Sequence, residues 1–351
     1  MKTTVLDVPG WQQVTLFEEA SSGLRAIVSV HDATLGPACG GCRVFPYDSL
    51  EAGLADVNNL ARGMTYKNAL GGIPFGGGKC VVFADPRTDK TPAMMRALGL
   101  AIDSLNGLYY TAEDSGMSEA DIATIREVTP FAAGMRRSGI GGNPSPFTAR
   151  GVWRGIEAAV RHRLGRSSLD GLTVGVLGVG AVGMALAKHL HGARAKLLVA
   201  DVNAAALARA HQDFGAQIVS IDDIYDQPMD VFAPCALGGS INPQTVHRLK
   251  ASVIAGAANN QLVTPPMGTI LHQRDILYAP DYVVNAAGVI SVGLEIQGTW
   301  TDAALTARID GIGETLDHLF QRAKAENRPT HEIADIMAQD VIDKGAGRRT
   351  A

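Results

Sequence analysis

The sequence lacks the features that would place the protein in a membrane or on a nucleic acid. It has no uninterrupted apolar run of the ~18 residues that a membrane-spanning helix needs. Its formal net charge is -4, so it has no basic excess to attract nucleic acid or an anionic membrane. The N-terminal segment contains Asp7, Glu18 and Glu19 and no continuous apolar core, so it does not predict a signal peptide. We expect a cytoplasmic protein that binds neither membrane nor nucleic acid.

Cysteine is also scarce, with four residues in the chain. Cys39 and Cys42 form one C-x-x-C pair, but no second pair stands at the spacing of a zinc site, so no metal site is predicted. A redox role for the pair remains open. The interpretation that we favour is two small, buried or half-buried side chains in a tight glycine turn.

Glycine, by contrast, is abundant, and many of its 40 residues occur in clusters that predict turns. The 351-residue length suggests two domains, or one large domain at the upper size limit. Strand and helix patterns alternate between residues 172 and 255, which predicts a parallel, doubly wound sheet. Residues 138–146 are rich in Gly, Pro, Ser and Asn and form the predicted hinge. We therefore predict an α/β fold with two domains and a cleft between them.

A dinucleotide-binding fingerprint begins the predicted parallel sheet. The run Gly178-Val179-Gly180-Ala181-Val182-Gly183 follows a strand pattern and opens a helix pattern. Gly178 would make the turn, Gly180 would let a pyrophosphate approach backbone N–H groups, and Gly183 would let helix and strand pack closely. Asp201 ends the next strand pattern, where its carboxylate would bind ribose hydroxyls and repel a 2'-phosphate. NAD is therefore the predicted cofactor. The alternatives are a glycine turn that binds nothing and, for Asp201 alone, a solvated carboxylate at the end of a strand.

Two lysines stand in apolar, glycine-rich surroundings. Lys67 follows the segment Gly63-Met64-Thr65-Tyr66, and Lys79 ends the run of glycines at 76–78. One cation could hold a substrate carboxylate, and burial beside a second cation could make the other a base near neutral pH. A phosphate loop is excluded, because Ile73 replaces its first glycine and Cys80 replaces its Ser or Thr. The alternative for Lys79 is a lysine that points to water at the start of a strand.

Seven short motifs occur in a fixed order along the chain. They are Leu35-Gly36-Pro37-Ala38, Gly63-Met64-Thr65-Tyr66-Lys67, Gly76-Gly77-Gly78-Lys79, Thr111-Ala112-Glu113-Asp114, Gly142-Asn143-Pro144-Ser145-Pro146, Phe232-Ala233-Pro234-Cys235-Ala236-Leu237-Gly238 and Ala255-Gly256-Ala257-Ala258-Asn259-Asn260. In this order they resemble the Glu/Leu/Phe/Val amino-acid dehydrogenase family, and within it the branch of leucine, phenylalanine and tryptophan dehydrogenases. The resemblance runs from about residue 14 to about residue 340.

The resemblance implies an enzyme that carries out NAD-dependent, reversible oxidative deamination of an L-amino acid to a 2-oxo acid and ammonia. By resemblance, Lys67 binds the substrate carboxylate, Lys79 activates the water that attacks the imine, and Asp114 transfers protons at the amino nitrogen. These residue types suit the reaction, which needs a nucleophilic water and proton transfer in a dry cleft but no metal. The alternative for Asp114 is an acid that caps the helix predicted at Ser118. Family members are homo-oligomers.

The same resemblance assigns functions to the domains. It implies a substrate-binding and catalytic domain at 1–137 and an NAD-binding, Rossmann-type domain at 138–327. A C-terminal helix within 328–351 would return to the first domain.

The resemblance also assigns binding residues. Those that would contact the cofactor are Thr148, Ala236, Leu237, Ala257 and Ala258, with Asn259 facing both nicotinamide and substrate. Those at the substrate are Gly40 and the side-chain pocket positions Cys39, Ala112, Val289 and Val292. The pocket residues are small or medium-sized and apolar, so we expect an apolar substrate side chain. Cys39 replaces a leucine that is common in leucine dehydrogenases and should enlarge the pocket, which leaves aliphatic and aromatic substrates both open.

Departures from the family pattern affect the expected substrate more than the expected reaction. Ser115 and Met117 follow the catalytic acid in place of the usual residues, Ala287 replaces a glycine, and Cys42 replaces a threonine. The alternatives are the same chemistry on a modified, for example β-substituted, amino acid, and a catalytically silent NAD-binding sensor. The presence of both lysines together with the acid argues against the sensor.

Overall fold

The computed structural model describes residues 1–134 and 145–349, which form two compact units. The first unit contains residues 1–134, 289–301 and 338–349, and the second contains 145–288 and 302–337. The units differ from the predicted boundaries because 289–301 groups with the first unit, where Glu295 accepts a hydrogen bond from the backbone N–H of Gly134 (2.8 Å). Most of the predicted hinge at 138–146 lies outside the described residues.

A six-stranded mixed sheet forms the centre of the first unit, with the strand order β1-β2-β3-β5-β4-β6. Its strands are β1 (Lys2–Leu6), β2 (Gln13–Glu19), β3 (Leu24–Asp32), β4 (Ala38–Phe45), β5 (Gly76–Phe83) and β6 (Tyr109–Glu113). Neither β1 nor β2 was predicted from the sequence. The neighbours from β1 to β5 are antiparallel, but β4 is parallel to both β5 and β6. The carboxyl ends of β4, β5 and β6 therefore lie at one edge of the sheet.

Two glycine clusters that predicted turns lie inside strands. Gly40 and Gly41 belong to β4, and the glycines at 76–78 belong to β5. The absence of a side chain at Gly77 lets helix α1 (Leu50–Leu70) approach, since a Cβ there would lie 2.0 Å from the backbone nitrogen of Thr65. The predicted turn at residues 39–42 and the predicted strand start at 79 are therefore wrong, because these glycines permit close packing and do not reverse the chain.

Helices cover both faces of the first sheet. On one face Val57 of α1 packs with Val81 of β5. On the other, α2 (Pro92–Asp103) and α3 (Glu119–Arg126) bury residues such as Ile102 in the main core of the unit. The sequence predicts one helix start at Thr91, which Pro92 follows, and another at Ser118. Both are confirmed: Thr91 caps α2 by accepting from Met94 N, and Ser118 forms a capping box at the start of α3.

The second unit contains a parallel sheet with the order β12-β11-β10-β7-β8-β9. Its strands are β7 (Thr173–Leu177), β8 (Lys196–Ala200), β9 (Gln217–Ile218), β10 (Val231–Pro234), β11 (Val253–Ile254) and β12 (Leu277–Tyr278). Counted from β7, this is the 3-2-1-4-5-6 order of the dinucleotide-binding fold, which confirms the predicted Rossmann-type sheet. Ligands of such sheets bind at the strand carboxyl ends, where the order reverses between β7 and β10.

The remaining helices follow in chain order. They are α4 (Ser145–Leu164), α5 (Ala181–Gly192), α6 (Ala204–Phe214), α7 (Pro266–Gln273), α8 (Asp281–Val284), α9 (Ala287–Ile296), α10 (Asp302–Glu326) and α11 (Thr330–Arg349). Among the residues that the structure describes, no helix is both long and apolar enough to cross a membrane.

Candidate active site

Lys79 lies in the middle of β5, and its side chain is almost completely buried. Only 6% of the residue is exposed, which excludes a lysine that points to water. Its side chain is on the α1 face of the sheet, because residues alternate between faces and Gly77, two positions earlier, packs against Thr65 of that helix. A charged amine at such a position needs a counterion.

Asp114 provides that counterion. It directly follows β6, and its Oδ2 lies 2.7 Å from Lys79 Nζ. Burial by itself raises the pKa of the Asp114 carboxyl, but the charge of Lys79 and then that of Arg43 outweigh this effect and hold the pKa below its usual value. Asp114 is therefore an ionised carboxylate in a buried pair and does not cap α3, whose cap is Ser118.

Gly41 makes this ion pair possible, although the sequence analysis did not single it out. Strand β4 lies between β5 and β6, so Asp114 must reach across β4 to contact Lys79. A Cβ on Gly41 would lie 2.8 Å from Asp114 Cβ and 2.7 Å from the carbonyl oxygen of Glu113. Glycine at this position thus leaves the space through which the acid meets the base.

Arg43 is a second residue that the sequence analysis missed. Its Nε lies 3.5 Å from Asp114 Oδ2, and its Nη1 lies 3.0 Å from Asp56 Oδ2 on α1. Tyr47 donates a hydrogen bond from its hydroxyl to the same oxygen of Asp56. The position of Arg43, directly after the second cysteine of the C-x-x-C pair, was the signal for it in the sequence.

Lys67 lies in the last turn of α1 and is half-buried. The next residue, Asn68, is fully buried and donates from Nδ2 to the carbonyl oxygens of Cys39 (3.1 Å) and Gly76 (2.7 Å). These two bonds attach the end of α1 to β4 and β5. They place Lys67 on the helix that covers the strand carrying Lys79.

Several predicted pocket residues also lie in the first unit. Cys39 and Ala112 are buried, and Val292 is half-buried on α9. Gly134 connects two of them, since a Cβ there would lie 3.8 Å from Ala112 Cβ and 3.9 Å from Val292 Cγ2. Ala112 and Val292 therefore both lie beside Gly134, which was not among the pocket residues predicted from the sequence.

The other two predicted substrate residues have different surroundings. Gly40 packs tightly against β5, since a Cβ there would lie 1.9 Å from the carbonyl oxygen of Gly78. Val289 is half-buried on α9. Gly40 is thus required by packing, whether or not it also contacts a ligand.

The C-x-x-C pair is not arranged for redox chemistry. Cys42 lies in the main core with Cys80, and their hydrogen bond, together with burial, raises the pKa of the Cys42 thiol. Cys39 lies outside that core cluster, and burial raises the pKa of its thiol to about 12, although the charge of Lys79 opposes the shift. Both residues are free thiols, and a buried thiol with a raised pKa is a poor nucleophile.

The fingerprint glycines in the second unit have the geometry that a dinucleotide site needs. Gly178 has φ +97°, a conformation that favours glycine, and a Cβ on Gly183 would lie 1.9 Å from the carbonyl oxygen of Gly178. A Cβ on Gly180 would meet nothing within 4 Å, so the space above this N-cap of α5 is open. Asp201 accepts a hydrogen bond from Val179 N at 2.7 Å, which fixes the turn to the end of β8.

The other predicted cofactor residues lie in the second unit. Ala181 and Val182 form the first turn of α5, and Thr148 is half-buried in the first turn of α4. Ala236 packs against Gly178, Leu237 is 88% exposed, and Ala257 and Ala258 follow β11. The positions around the end of β7 thus agree with the fingerprint.

Asn259 is oriented by a residue whose role the sequence analysis missed. Asn285 is buried and donates from Nδ2 to Asn259 Oδ1 (2.7 Å) and to the carbonyl oxygen of Ala257 (3.0 Å).

Ala287, which replaces a family glycine, is also buried, and its Cβ would lie 3.6 Å from a Cβ on Gly151 of α4. Its added methyl group is therefore accommodated by a glycine of the same unit.

Comparison with known families gives matches in both units. The family model described as the Glu/Leu/Phe/Val dehydrogenase dimerisation domain matches residues 12–130. The model described as Glutamate/Leucine/Phenylalanine/Valine dehydrogenase matches residues 200–346.

Individual relatives extend the similarity over nearly the whole chain. The chain is 49% identical to the leucine dehydrogenase of Geobacillus stearothermophilus over 334 residues, which cover 95% of this chain and 91% of that enzyme. It is 40% identical to the phenylalanine dehydrogenase of Caldalkalibacillus thermarum over 353 residues, which cover 99% of this chain and 95% of that enzyme. The crystal structure of L-tryptophan dehydrogenase from Nostoc punctiforme matches with a TM-score of 0.85 at 40% identity, covering 96% of this chain and 97% of that one.

Proposed function

Because the chain belongs to the Glu/Leu/Phe/Val dehydrogenase family, we propose that it catalyses the NAD-dependent, reversible oxidative deamination of an apolar L-amino acid. The products are the 2-oxo acid and ammonia. The observation that carries the proposal is the buried contact of 2.7 Å between Lys79 Nζ and Asp114 Oδ2. Such a pair provides a direct path for a proton between a base and an acid in a site with little water.

Each polar residue has a separate task in this reaction. Lys67 binds the substrate carboxylate. Lys79 takes a proton from the water that attacks the imine carbon, and Asp114 carries protons to and from the substrate nitrogen. The amine leaves as ammonia once its nitrogen is protonated. The burial of Lys79 and of Asp114 Oδ2 limits the exchange of these protons with bulk water.

The residues of the second unit fit NAD. When bound, NAD accepts the hydride from the substrate Cα. The open space at Gly180 and the backbone N–H groups at the start of α5 suit a pyrophosphate. Asp201 has a carboxylate at the end of β8, where it would bind ribose hydroxyls and repel the 2'-phosphate of NADP.

The pocket residues support an apolar substrate side chain. Cys39 and Ala112 are buried, and Val292 lies beside Gly134 with no polar group of its own. Leucine-like and phenylalanine-like side chains both suit walls of this kind. We also propose a homo-oligomer, since the model that matches residues 12–130 is described as a dimerisation domain.

A substrate panel with the purified protein tests the proposal. We expect NADH to form from NAD with leucine, valine or phenylalanine and with neither glutamate nor lysine. NADP should be a much weaker cofactor, and Asp201→Asn should reduce the preference. Turnover with none of the twenty amino acids would contradict the reaction, and NAD binding in calorimetry without turnover would support a silent sensor in its place.

A further inference from the structure

Arg43 connects two carboxylates that come from different elements. It lies on β4, with Nη1 3.0 Å from Asp56 Oδ2 and Nε 3.5 Å from Asp114 Oδ2. The Nε atom is buried and makes no hydrogen bond to any residue that the structure describes. The oxygen that it faces is the same Asp114 oxygen that Lys79 contacts. Asp114 therefore lies between two cations on neighbouring strands.

The Nη1 atom of Arg43 is fixed by a hydrogen bond to Asp56 Oδ2. Asp56 accepts from both Arg43 and Tyr47, and the three residues form what we call the Arg43 clamp. Burial first, and then the hydrogen bond to Asp56, raise the pKa of Tyr47, so its hydroxyl remains a donor at physiological pH. Although burial alone lowers the pKa of Arg43, Asp114 and Asp56 outweigh it and raise the pKa. The guanidinium is thus permanently charged and fixed in position.

The proposed reaction explains why Asp114 needs a second cation beside it. Lys79 must be neutral when it takes a proton from water, and Asp114 then loses its nearest counterion. A buried carboxylate without a partner would bind a proton or move. Arg43 does not titrate, so it remains beside Asp114 throughout the cycle.

We propose that Arg43 is a positioning residue that keeps the Asp114 carboxylate ionised and in place while Lys79 is neutral. The inference rests on the proposed function, because it assumes that Lys79 acts as the base. Among the residues that the structure describes, the titratable and charged side chains that act on Asp114 include Lys79 on β5 and Arg43 and Cys42 on β4. Of these, only Arg43 keeps a full positive charge at every step.

Arg43→Met tests the positioning role by kinetics. We expect kcat to fall about 10- to 100-fold while KM for the amino acid changes little, because the misplaced group acts in chemistry and not in binding. The acidic limb of the pH profile of kcat should move to higher pH. The sign follows from the loss of a cation: the pKa of Asp114 rises, so a higher pH is needed to ionise it.

Two further variants separate charge from geometry. Arg43→Lys keeps the charge but cannot reach both carboxylates with a rigid fork, so kcat should fall while the acidic limb moves less than in Arg43→Met. Asp56→Asn loosens the clamp without touching Asp114 and should lower kcat by a smaller factor. Arg25→Met is the matched control, because Arg25 lies on β3 of the same sheet and pairs with the half-buried Glu18.

The outcomes distinguish this inference from the proposed function. An inactive wild-type protein would contradict the proposed function. An active wild type with an unchanged kcat and pH profile in Arg43→Met would overturn the inference alone. A loss of stability in Arg43→Met with an unchanged pH profile would also overturn it, since it would show a purely structural role.

A double-mutant cycle gives a reading that does not depend on turnover. Denaturant unfolding of Arg43→Met, Asp114→Asn and the double variant should show non-additive losses. Additive losses would mean that the two residues do not interact, and would overturn the inference whatever the activity.

Discussion

Gly41 and Asp114 occupy adjoining space: a Cβ on Gly41 would lie 2.8 Å from the Cβ of Asp114. This closeness lets the acid on one outer strand cross the strand between it and Lys79. The ion pair between Lys79 and Asp114 thus depends on the absence of a side chain at Gly41 as well as on the two charges.

Gly41→Ala should therefore impair catalysis by displacing Asp114. The added methyl would also lie 2.7 Å from the carbonyl oxygen of Glu113, so backbone must move. We expect kcat to fall at least about 10-fold and the free energy of unfolding to fall by about 1–3 kcal/mol. Steady-state kinetics and denaturant unfolding measure the two effects.

Gly63→Ala is the matched control for that variant. Gly63 lies in α1, and a Cβ there would meet nothing within 4 Å. Alanine in place of a helical glycine should raise stability by up to ~1 kcal/mol and leave kcat unchanged. Normal turnover in Gly41→Ala would contradict the crowding argument.

The two lysines should affect different kinetic parameters. Lys79→Ala removes the proposed base and should lower kcat by about 100-fold or more. Lys67→Ala removes the proposed carboxylate anchor and should mainly raise KM for the amino acid. Steady-state kinetics over a range of amino-acid concentrations separates the two. Equal effects of both changes on kcat and KM would argue against separate roles.

Cys39→Leu should narrow the substrate pocket. Cys39 is 1% exposed, so a larger side chain must take space from its neighbours. We expect the ratio of kcat/KM for phenylalanine to that for leucine to fall about 10-fold, the scale of one or two methylene groups in an apolar pocket. Cys42→Ala, in the core on the other side of the strand, should leave the ratio unchanged. A ratio that stays constant in Cys39→Leu would place Cys39 outside the pocket.

The ion pairs of Asp310 should make part of the free energy of unfolding depend on pH. Hydrogen bonds from Arg150, and next from Arg154, lower the pKa of Asp310 to about 2 against the opposing effect of burial. The carboxyl titrates near ~3.9 in the unfolded chain, so its contribution is fully present above that pH and is lost as the pH falls through the folded value.

Asp310→Asn should therefore destabilise the protein at pH 7 by under ~1 kcal/mol, since a third of the side chain is exposed and screened. The difference from wild type should shrink as the pH falls towards ~3. Denaturant unfolding across this range measures it. A deficit of constant size would mean that packing between α4 and α10, and not charge, is responsible.

Local sequence rules predicted the parts of the fold that depend on local contacts. Thr91 and Pro92 gave the start of α2, and Ser118 gave the start of α3, because a cap is satisfied by the first turn itself. The fingerprint also predicted a strand before its glycines and a helix after them, and β7 and α5 confirm both.

Contacts between distant segments could not be predicted in this way. Gly41 and Gly77 belong to glycine clusters of the kind that is typical of turns. These two strand positions need glycine because Asp114 and Thr65, from elsewhere in the chain, approach them closely. Arg43 was missed for the same reason, because its partners Asp56 and Asp114 belong to a helix and to the end of another strand. The roles of Lys67 and Lys79 remain predictions, which the variants above test.

The hydrogen bond between Asn285 and Asn259 has a consequence for recognition. Because Asn259 Oδ1 already accepts from Asn285, the amide cannot rotate by half a turn without losing that bond. Its NH₂ group therefore points away from Asn285, and a ligand bound at Asn259 would meet this donor. A partner at this position must bring a lone pair, such as that of a carbonyl or a carboxylate oxygen, and one that brings an N–H would meet a donor facing a donor.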